Sequence, residues 1–169
     1  MSEKDILYER AYRKLARRLN SVSAGSEEAL PAFIEATHKN SPTGLPHFWW
    51  CGVYLLTTGN PSTGEAQLEL AASSSPACSP LPVRPRDGGV CSDCALIEKP
   101  IVVPDVSRYP GHVECNPSTR SEIVVPLFSV DGRLAGVIDI DSDKPGSFDQ
   151  ADASWISLIA DLLAHHLAL

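Results

Sequence analysis

The sequence predicts an α+β domain with one central antiparallel β-sheet, with the N- and C-terminal helices on one face and ligand-pocket loops on the other. Two apolar runs, Ile123–Phe128 and Leu134–Ile140, flank an Asp131-Gly132 turn, which is the pattern of a β-hairpin. Apolar residues recur at helical spacing near both ends of the chain. With 169 residues, 43% of them hydrophobic, the chain has the size and composition of one ordinary domain with its own core.

Two helices are predicted before the sheet, over about residues 5–38. The first runs from about Asp5 to Leu19, because apolar residues lie three and four positions apart, and its basic residues suit a solvated face. The second runs from about Ser26 to His38, with the Ser26 side chain as its N-terminal cap. We expect both helices to cover the sheet on the side away from the pocket.

Five strands are predicted. Phe48–Leu56 and Ala66–Ala72 form the first pair, Ile101–Val103 is a short strand, and the hairpin supplies the last two. The polar, proline-rich segment Ser73–Gly89 is predicted to be a loop. A loop of this length in a compact domain is usually functional or mobile.

Two further helices complete the predicted core. A short one spans about Cys91–Glu98 and ends before Pro100. The last runs from about Asp149 to His166 and presents one apolar face. We therefore expect a single domain over residues 1–169, with its core over about residues 48–166.

Composition narrows the classes of partner and compartment. The net charge of −7 argues against nucleic acid or an anionic membrane as the main partner, because both bind basic surfaces. The charged start of the chain does not resemble a signal peptide, and no segment has transmembrane length. Five cysteines without a secretory signal indicate a reducing compartment, so we expect a cytoplasmic protein.

Acidic side chains stand where a sheet normally buries apolar ones. Asp139 and Asp141 lie two residues apart in the second hairpin strand, so both leave the same face. Glu122 opens the first hairpin strand, and Cys115 lies in the aperiodic loop before it. A thiol and three carboxylates therefore converge from one loop and two paired strands.

Several segments resemble the free methionine-(R)-sulfoxide reductases, which are enzymes built on a GAF domain. The resemblance runs from about Phe48 to about Leu163, and it implies the GAF fold, whose layout agrees with the element order predicted above. The matching segments are Gly89–Cys91, Val102–Val106, Pro110–Cys115, Ser121–Leu127 and Gly136–Ser142.

The resemblance implies a thiol mechanism. Cys115 would attack the sulfoxide sulfur and become a sulfenic acid, while Cys78 and Cys91 would be the resolving and recycling thiols. A disulfide from Cys115 to one of them would then be reduced by a thioredoxin-like protein. Which of the two resolves first stays open, because the Cys78–Cys91 gap is longer than usual in the family. Cys91 is expected at a helix N-terminus, where the dipole favours a thiolate, and Cys94 has no inherited role.

The resemblance also implies a substrate pocket. Trp50 and Tyr54 would form its wall around the methylthio end of the substrate, and sulfur–aromatic contacts are favourable. Glu122, Asp139 and Asp141 match the three substrate-handling acids of the family. Ionised carboxylates would bind the ammonium group, and a protonated one would donate to the sulfoxide oxygen, because crowded like charges raise one pKa. The sequence leaves open which acid donates.

These implications make free methionine-(R)-sulfoxide and a thioredoxin-like reductant the expected partners, in the repair of oxidative damage. We expect no metal ligand and no bound cofactor. A homodimer is the expected assembly, although the sequence leaves the oligomeric state open. His112 and Arg120 are close to Cys115 in sequence and would favour its thiolate if they contact it.

Three alternatives remain. The first is a GAF sensor module that binds a small ligand without chemistry. The second is a structural zinc site made by four thiols, Cys78, Cys91, Cys94 and Cys115. The third is a hydrolase that uses Cys115 with His112, although no orienting residue or oxyanion motif is recognisable.

Overall fold

The computed structural model of the protein describes residues 2–26, 28–40, 44–57, 63, 65–85 and 88–167. The helices in these residues are α1 (Glu3–Leu19), α2 (Ala29–Thr37), α3 (Gly89–Ile97) and α4 (Gln150–Leu167). The strands are β1 (Trp50–Leu56), β2 (Gln67–Ser73), β3 (Leu81–Pro82), β4 (Ile101–Val103), β5 (Ser121–Phe128) and β6 (Leu134–Ser142). A short 3₁₀ helix, Val106–Arg108, follows β4.

The strands form one sheet in the order β3-β2-β1-β6-β5-β4, and every neighbouring pair is antiparallel. The predicted antiparallel sheet and the predicted β5–β6 hairpin are both confirmed. Strands β1 and β6 lie at its centre, and β6, the longest strand, is paired on both edges. Side chains on β6 therefore have fixed neighbours on two strands, which suits a residue that must be held in place.

The two faces of the sheet have different covers. One face carries β-strand residues such as Ile138 and Ile140 and packs against α1, α2 and α4, where Phe33 and Leu163 are fully buried. The other face carries Tyr54 and Val124 and packs against α3 and the loops. The alternation of side chains along each strand separates the two sets. This is the predicted arrangement of terminal helices on one side and loops on the other.

A buried carboxylate joins the two ends of the chain. Asp152 of α4 has no exposed surface, and it accepts hydrogen bonds from the Tyr8 hydroxyl at 2.7 Å and the Lys4 Nζ atom at 2.7 Å. The His47 Nε2 atom lies 3.0 Å from its Oδ1 atom. Burial alone would raise the pKa of Asp152, but the hydrogen bonds from His47, Lys4 and Tyr8 hold it below its usual range. The carboxylate thus fixes α1 against α4.

Three predicted details of the elements are wrong. Helix α2 begins at Ala29, so Ser26 is too far upstream to cap it, and its hydroxyl accepts instead from the Glu28 amide in the preceding turn. Strand β1 begins at Trp50 rather than Phe48. The predicted loop Ser73–Gly89 contains strand β3, which pairs with β2 but is too short to carry a recognisable period; residues 86 and 87 of that loop lie outside the described residues.

Of the helices in the described part of the chain, none combines the length and the apolar character needed to cross a membrane.

Candidate active site

Three carboxyl groups lie together on the loop-covered face of the sheet. Asp141 on β6 is directly opposite Glu122 on β5, and Asp139 lies two residues further along the same face of β6. Only 5% of Glu122 is exposed, and 8% each of Asp139 and Asp141. The strand alternation that predicted this convergence therefore also places all three acids away from water.

Burial dominates the electrostatics of these acids. It raises the pKa of Glu122 to about 7, although a hydrogen bond from His112 acts in the opposite direction. The pKa of Asp139 is raised by burial and by the charge of Glu122, and that of Asp141 by burial and the charge of Asp139. The pocket can thus hold protonated carboxyl groups near neutral pH, which are proton donors.

Two polar neighbours position the acids. The His112 Nε2 atom lies 3.3 Å from the Glu122 Oε2 atom, and this carboxylate raises the pKa of His112. The Thr119 hydroxyl donates to the Asp141 Oδ2 atom at 3.0 Å. No sequence pattern indicates the role of Thr119, because it lies in an aperiodic loop and its contact is 22 residues away along the chain.

The predicted thiols fall into two environments. Cys78 and Cys115 are joined by a disulfide with Cα atoms 5.2 Å apart, which links the segment after β2 to the loop before β5. Cys91 is a free, buried thiol in α3. Its Sγ atom and one carboxylate oxygen each of Glu122 and Asp139 all lie within 4.8 Å of one another. The structure thus brings Cys91 and Cys115 to the acidic pocket, and it bonds Cys78 to Cys115 from outside the pocket.

The expectation that Cys91 is favoured as a thiolate is wrong. Cys91 is the third residue of α3, but only 4% of it is exposed. Burial raises the pKa of Cys91 well above its ordinary value, and the charges of Asp139 and Glu122 raise it further. Desolvation and two nearby acids therefore outweigh the helix dipole.

The other two cysteines lie outside this group. The Cys94 Sγ atom donates to the Lys99 carbonyl oxygen at 3.3 Å. Cys51 is buried on the opposite face of the sheet, 3.9 Å from the Thr37 hydroxyl. The four-thiol zinc site considered above is not formed, because Cys78 and Cys115 are bonded to each other.

Arg120 does not act on the Cys115 thiol in the way its sequence position suggested. Its Nη1 atom donates to the carbonyl oxygens of Pro117 at 2.8 Å and Thr119 at 2.9 Å. The guanidinium therefore shapes the Cys115 loop, while His112 directs its Nε2 atom at Glu122.

Trp50 and Tyr54 lie on the acidic face and support the segment that carries Cys78. The Trp50 Nε1 atom donates to the Ser75 carbonyl at 2.8 Å, and the Tyr54 hydroxyl donates to the Cys78 carbonyl at 2.9 Å. A Cβ atom at Gly52 would overlap the Trp50 ring, so glycine allows this ring to lie against the strand. Both aromatic residues are almost fully buried, and their hydrogen bonds hold Ser75 and Cys78 beside them in this disulfide-bonded form.

A small cavity lies between the disulfide and the acids. Its volume is about 30 Å³, which is room for about two water molecules and far less than a methionine side chain needs. Cys115 faces the acids across this cavity, whereas Cys78, Trp50 and Tyr54 are not part of its lining. The polar residues of the lining include Cys91, His112, Cys115, Thr119, Glu122, Asp139 and Asp141.

Comparisons with known proteins give one consistent result. A protein-family model described as GAF domain matches residues 45–168. GAF domain-containing protein A of Dictyostelium discoideum is 42% identical over 119 residues, which cover 69% of this chain and 68% of that protein. Free methionine-R-sulfoxide reductase of Escherichia coli (strain K12) is 32% identical over 152 residues, which cover 89% of this chain and 86% of that protein.

A solved structure agrees with these relatives. The X-ray structure of free methionine-R-sulfoxide reductase from Neisseria meningitidis in complex with its substrate superposes with a TM-score of 0.79 at 31% sequence identity. The match covers 99% of this chain and 92% of that one.

Proposed function

Because the chain belongs to the GAF-domain family of free methionine-(R)-sulfoxide reductases, we propose that it reduces free L-methionine-(R)-sulfoxide to L-methionine by thiol chemistry. One observation carries the proposal beyond the likeness to relatives. Cys115 lies across a small cavity from three buried carboxyl groups and is already joined to a second cysteine, Cys78. The nucleophile and the proton donors thus line the cavity and a resolving thiol is bonded to the nucleophile from outside it, which together meet the three requirements for reducing a sulfoxide.

The first step consumes the substrate oxygen. The Cys115 thiolate attacks the sulfoxide sulfur while a protonated carboxyl group donates to the sulfoxide oxygen. The oxygen ends on Cys115 as a sulfenic acid, and methionine leaves with its sulfur reduced by two electrons. Glu122 is a suitable donor, because its pKa of about 7 leaves a large protonated fraction at neutral pH.

The second step closes the disulfide. The Cys78 thiol attacks the sulfenic sulfur of Cys115, the disulfide forms and water leaves. We assign the resolving role to Cys78, because it is bonded to Cys115 in this structure. Cys91, buried beside the acids, is then the thiol available for a later exchange. A thioredoxin-like dithiol then reduces the disulfide and returns the two electrons. We propose that the protein works in the cytoplasm and as a homodimer.

The acids also explain a preference for the free amino acid. The ammonium group of free methionine sulfoxide is a cation that Asp139 and Asp141 can bind as carboxylates, because a cation next to a buried acid favours its ionised form and opposes the effect of burial on its pKa. The corresponding nitrogen of a peptide-bound residue is an uncharged amide. We therefore expect an N-acetylated substrate, the (S)-epimer and peptide-bound sulfoxide to react far more slowly than free L-methionine-(R)-sulfoxide.

The proposal is tested by counting methionine released by each cysteine variant. The wild-type protein with a dithiol should turn over repeatedly. Cys115→Ser should release none, because no sulfenic acid can form. Cys78→Ser should release about one methionine per protein and then stop or slow. Cys115 can still attack the substrate in this variant, but no Cys78 thiol is present to resolve the sulfenic acid. Cys91→Ser should also keep the first turnover and recycle more slowly.

Cys94→Ser is the matched control, since it removes a buried thiol outside the proposed machinery and should change little. A protein that binds methionine but releases none from the sulfoxide would instead be the sensor module. Turnover by Cys115→Ser would contradict the nucleophile assignment. Mass spectrometry after one equivalent of substrate should find Cys115 joined to Cys78 rather than to Cys91.

A further inference from the structure

Cys91, Glu122 and Asp139 form a compact group of ligand atoms inside the pocket, which we call the Cys91 cluster. We propose that the Cys91 cluster binds Zn²⁺, and that the metal competes there with the ammonium group of the substrate. The competition rests on the function proposed above, whereas the binding of the metal does not.

The spacing of the three ligand atoms suits one ion. The Cys91 Sγ atom and one carboxylate oxygen each of Glu122 and Asp139 lie within 4.8 Å of one another. Zinc binds sulfur at about 2.3 Å and carboxylate oxygen at about 2.0–2.2 Å, so two ligands of one ion are at most about 4.5 Å apart. Small rotations of these side chains bring all three within reach of a single centre.

Asp139 supplies an independent sign that a cation belongs there. Its Oδ1 atom is buried and has no hydrogen-bond partner. It is the one buried side-chain nitrogen or oxygen atom of the described residues in that state. Only 8% of the residue is exposed, and it lines the cavity. An unpartnered buried oxygen is unfavourable, and a bound cation would relieve that cost.

The donor set selects the kind of metal. One thiolate with two carboxylates suits a borderline ion such as Zn²⁺, whereas Mg²⁺ and Ca²⁺ prefer oxygen ligands alone. Metal binding would displace the proton of Cys91. The cavity of about 30 Å³ next to the cluster admits an ion with a water molecule, which would occupy the fourth position of a tetrahedral site.

The binding test uses the protein with its Cys78–Cys115 disulfide intact, because the two disulfide sulfurs are then not available as thiolate ligands. Co²⁺ replaces Zn²⁺ as an optical probe, since a cobalt–thiolate bond gives a charge-transfer absorption. We expect one equivalent of Co²⁺ to bind with that absorption and to be displaced by Zn²⁺. Cys91→Ser should lose the absorption and bind Zn²⁺ at least tenfold more weakly, by comparison with the 10- to 100-fold cost of losing even an indirect ligand contact.

Cys94→Ser is the control for this measurement, because it removes a buried thiol one helical turn from Cys91 and should keep the absorption. Circular dichroism checks that both variants are folded. An unchanged absorption in Cys91→Ser, or the absence of a thiolate band in the wild-type protein, would overturn the metal site. Either result would leave the reductase function standing, because no turnover is measured.

The competition test uses a double variant, Cys78→Ser with Cys115→Ser, which has no disulfide and no thiol at the mouth of the pocket. L-methionine, the proposed product, should weaken Zn²⁺ binding in proportion to its concentration. Zinc binding that is indifferent to saturating methionine would overturn the competition. A protein that reduces no sulfoxide but binds Zn²⁺ through Cys91 would separate the metal site from the proposed function.

Discussion

At Glu122, burial and one histidine act on the same carboxyl group in opposite directions. Burial beside Asp141 raises its pKa, and the His112 contact at 3.3 Å lowers it, with about 7 as the result. A pKa near neutrality lets a carboxyl group give up its proton during the reaction and regain it afterwards. Glu122 is therefore suited to this proton exchange. Because its pKa differs between the folded and unfolded states, its ionisation also changes the free energy of unfolding.

The free energy of unfolding should therefore fall as pH rises from about 5 to about 8. The folded-state pKa of Glu122 is raised from 4.5 to about 7, so its stabilising contribution is complete below the unfolded value and is lost as pH rises through the folded one. His112, whose pKa is also raised, changes stability in the same direction. The raised pKa of Glu122 alone corresponds to a loss of roughly 3 kcal/mol in the free energy of unfolding. Urea unfolding across this range should show a smaller slope in Glu122→Gln, and stability that rises with pH would contradict the assignment.

Asp139→Asn and Asp141→Asn should each weaken the use of substrate strongly while the protein stays folded. Loss of one partner of a buried ion pair typically costs roughly 2–5 kcal/mol of binding. The fold should survive, because the two carboxyls are themselves costly to bury and an amide is neutral. Steady-state kinetics on free methionine-(R)-sulfoxide measure the effect, and circular dichroism monitors the fold. Kinetics identical to the wild type in both variants would remove these residues from the substrate site.

On the scale of elements, strand β1 controls the segment that carries Cys78. The polar atoms of Trp50 and Tyr54 are used to hold the carbonyl groups of Ser75 and Cys78. A cavity of about 30 Å³ cannot hold methionine sulfoxide, so we expect this segment to move outward when the disulfide is reduced. The two aromatic side chains would then be uncovered beside the acids, where the resemblance to the family expects them.

Tyr54→Phe should slow disulfide formation without preventing the first turnover. The variant removes the hydrogen bond to the Cys78 carbonyl, which is worth about 0.5–1.5 kcal/mol and corresponds to a roughly two- to tenfold slower closure. Rapid-quench measurement of free thiols after one equivalent of substrate reports the closure rate. Tyr109→Phe is the control, since its hydroxyl donates to Asp93 instead. Equal rates in all three proteins would show that the hydrogen bond does not guide Cys78.

Helices α1 and α4 are joined by Asp152, and Asp152→Ala should destabilise the protein by roughly 3 kcal/mol. The variant leaves the fully buried Tyr8 hydroxyl and the Lys4 ammonium without their acceptor. The midpoint of urea unfolding measures the loss. Asp161→Ala, at an exposed position of the same helix, should stay within about 0.5 kcal/mol of the wild type. A similar loss in both variants would point to helix propensity rather than to the buried carboxylate.

For the whole molecule, alternation along the strands was enough to predict the antiparallel sheet, its two faces and the convergence of Glu122, Asp139 and Asp141. Local pattern could not identify the partner of Cys115. That pairing depends on the position of residues 75–78. Hydrogen bonds from Trp50 and Tyr54, more than 20 residues away in sequence, fix this position. Local pattern is also insufficient for the pKa of Cys91, because that pKa is raised by burial in the folded domain and by acids on strands distant in sequence.

The two sulfur atoms of the Cys78–Cys115 bridge face different surroundings. Both cysteines are half-buried, but Cys115 lines the cavity and Cys78 lies outside it. A dithiol protein is too large to enter a cavity of about 30 Å³, so it should form its mixed disulfide with Cys78 and release Cys115 as the leaving group. Under the proposed mechanism, regeneration would then take place on the outer surface, without the electron donor occupying the pocket. One electron donor could therefore replace another during evolution without any change in the choice of substrate.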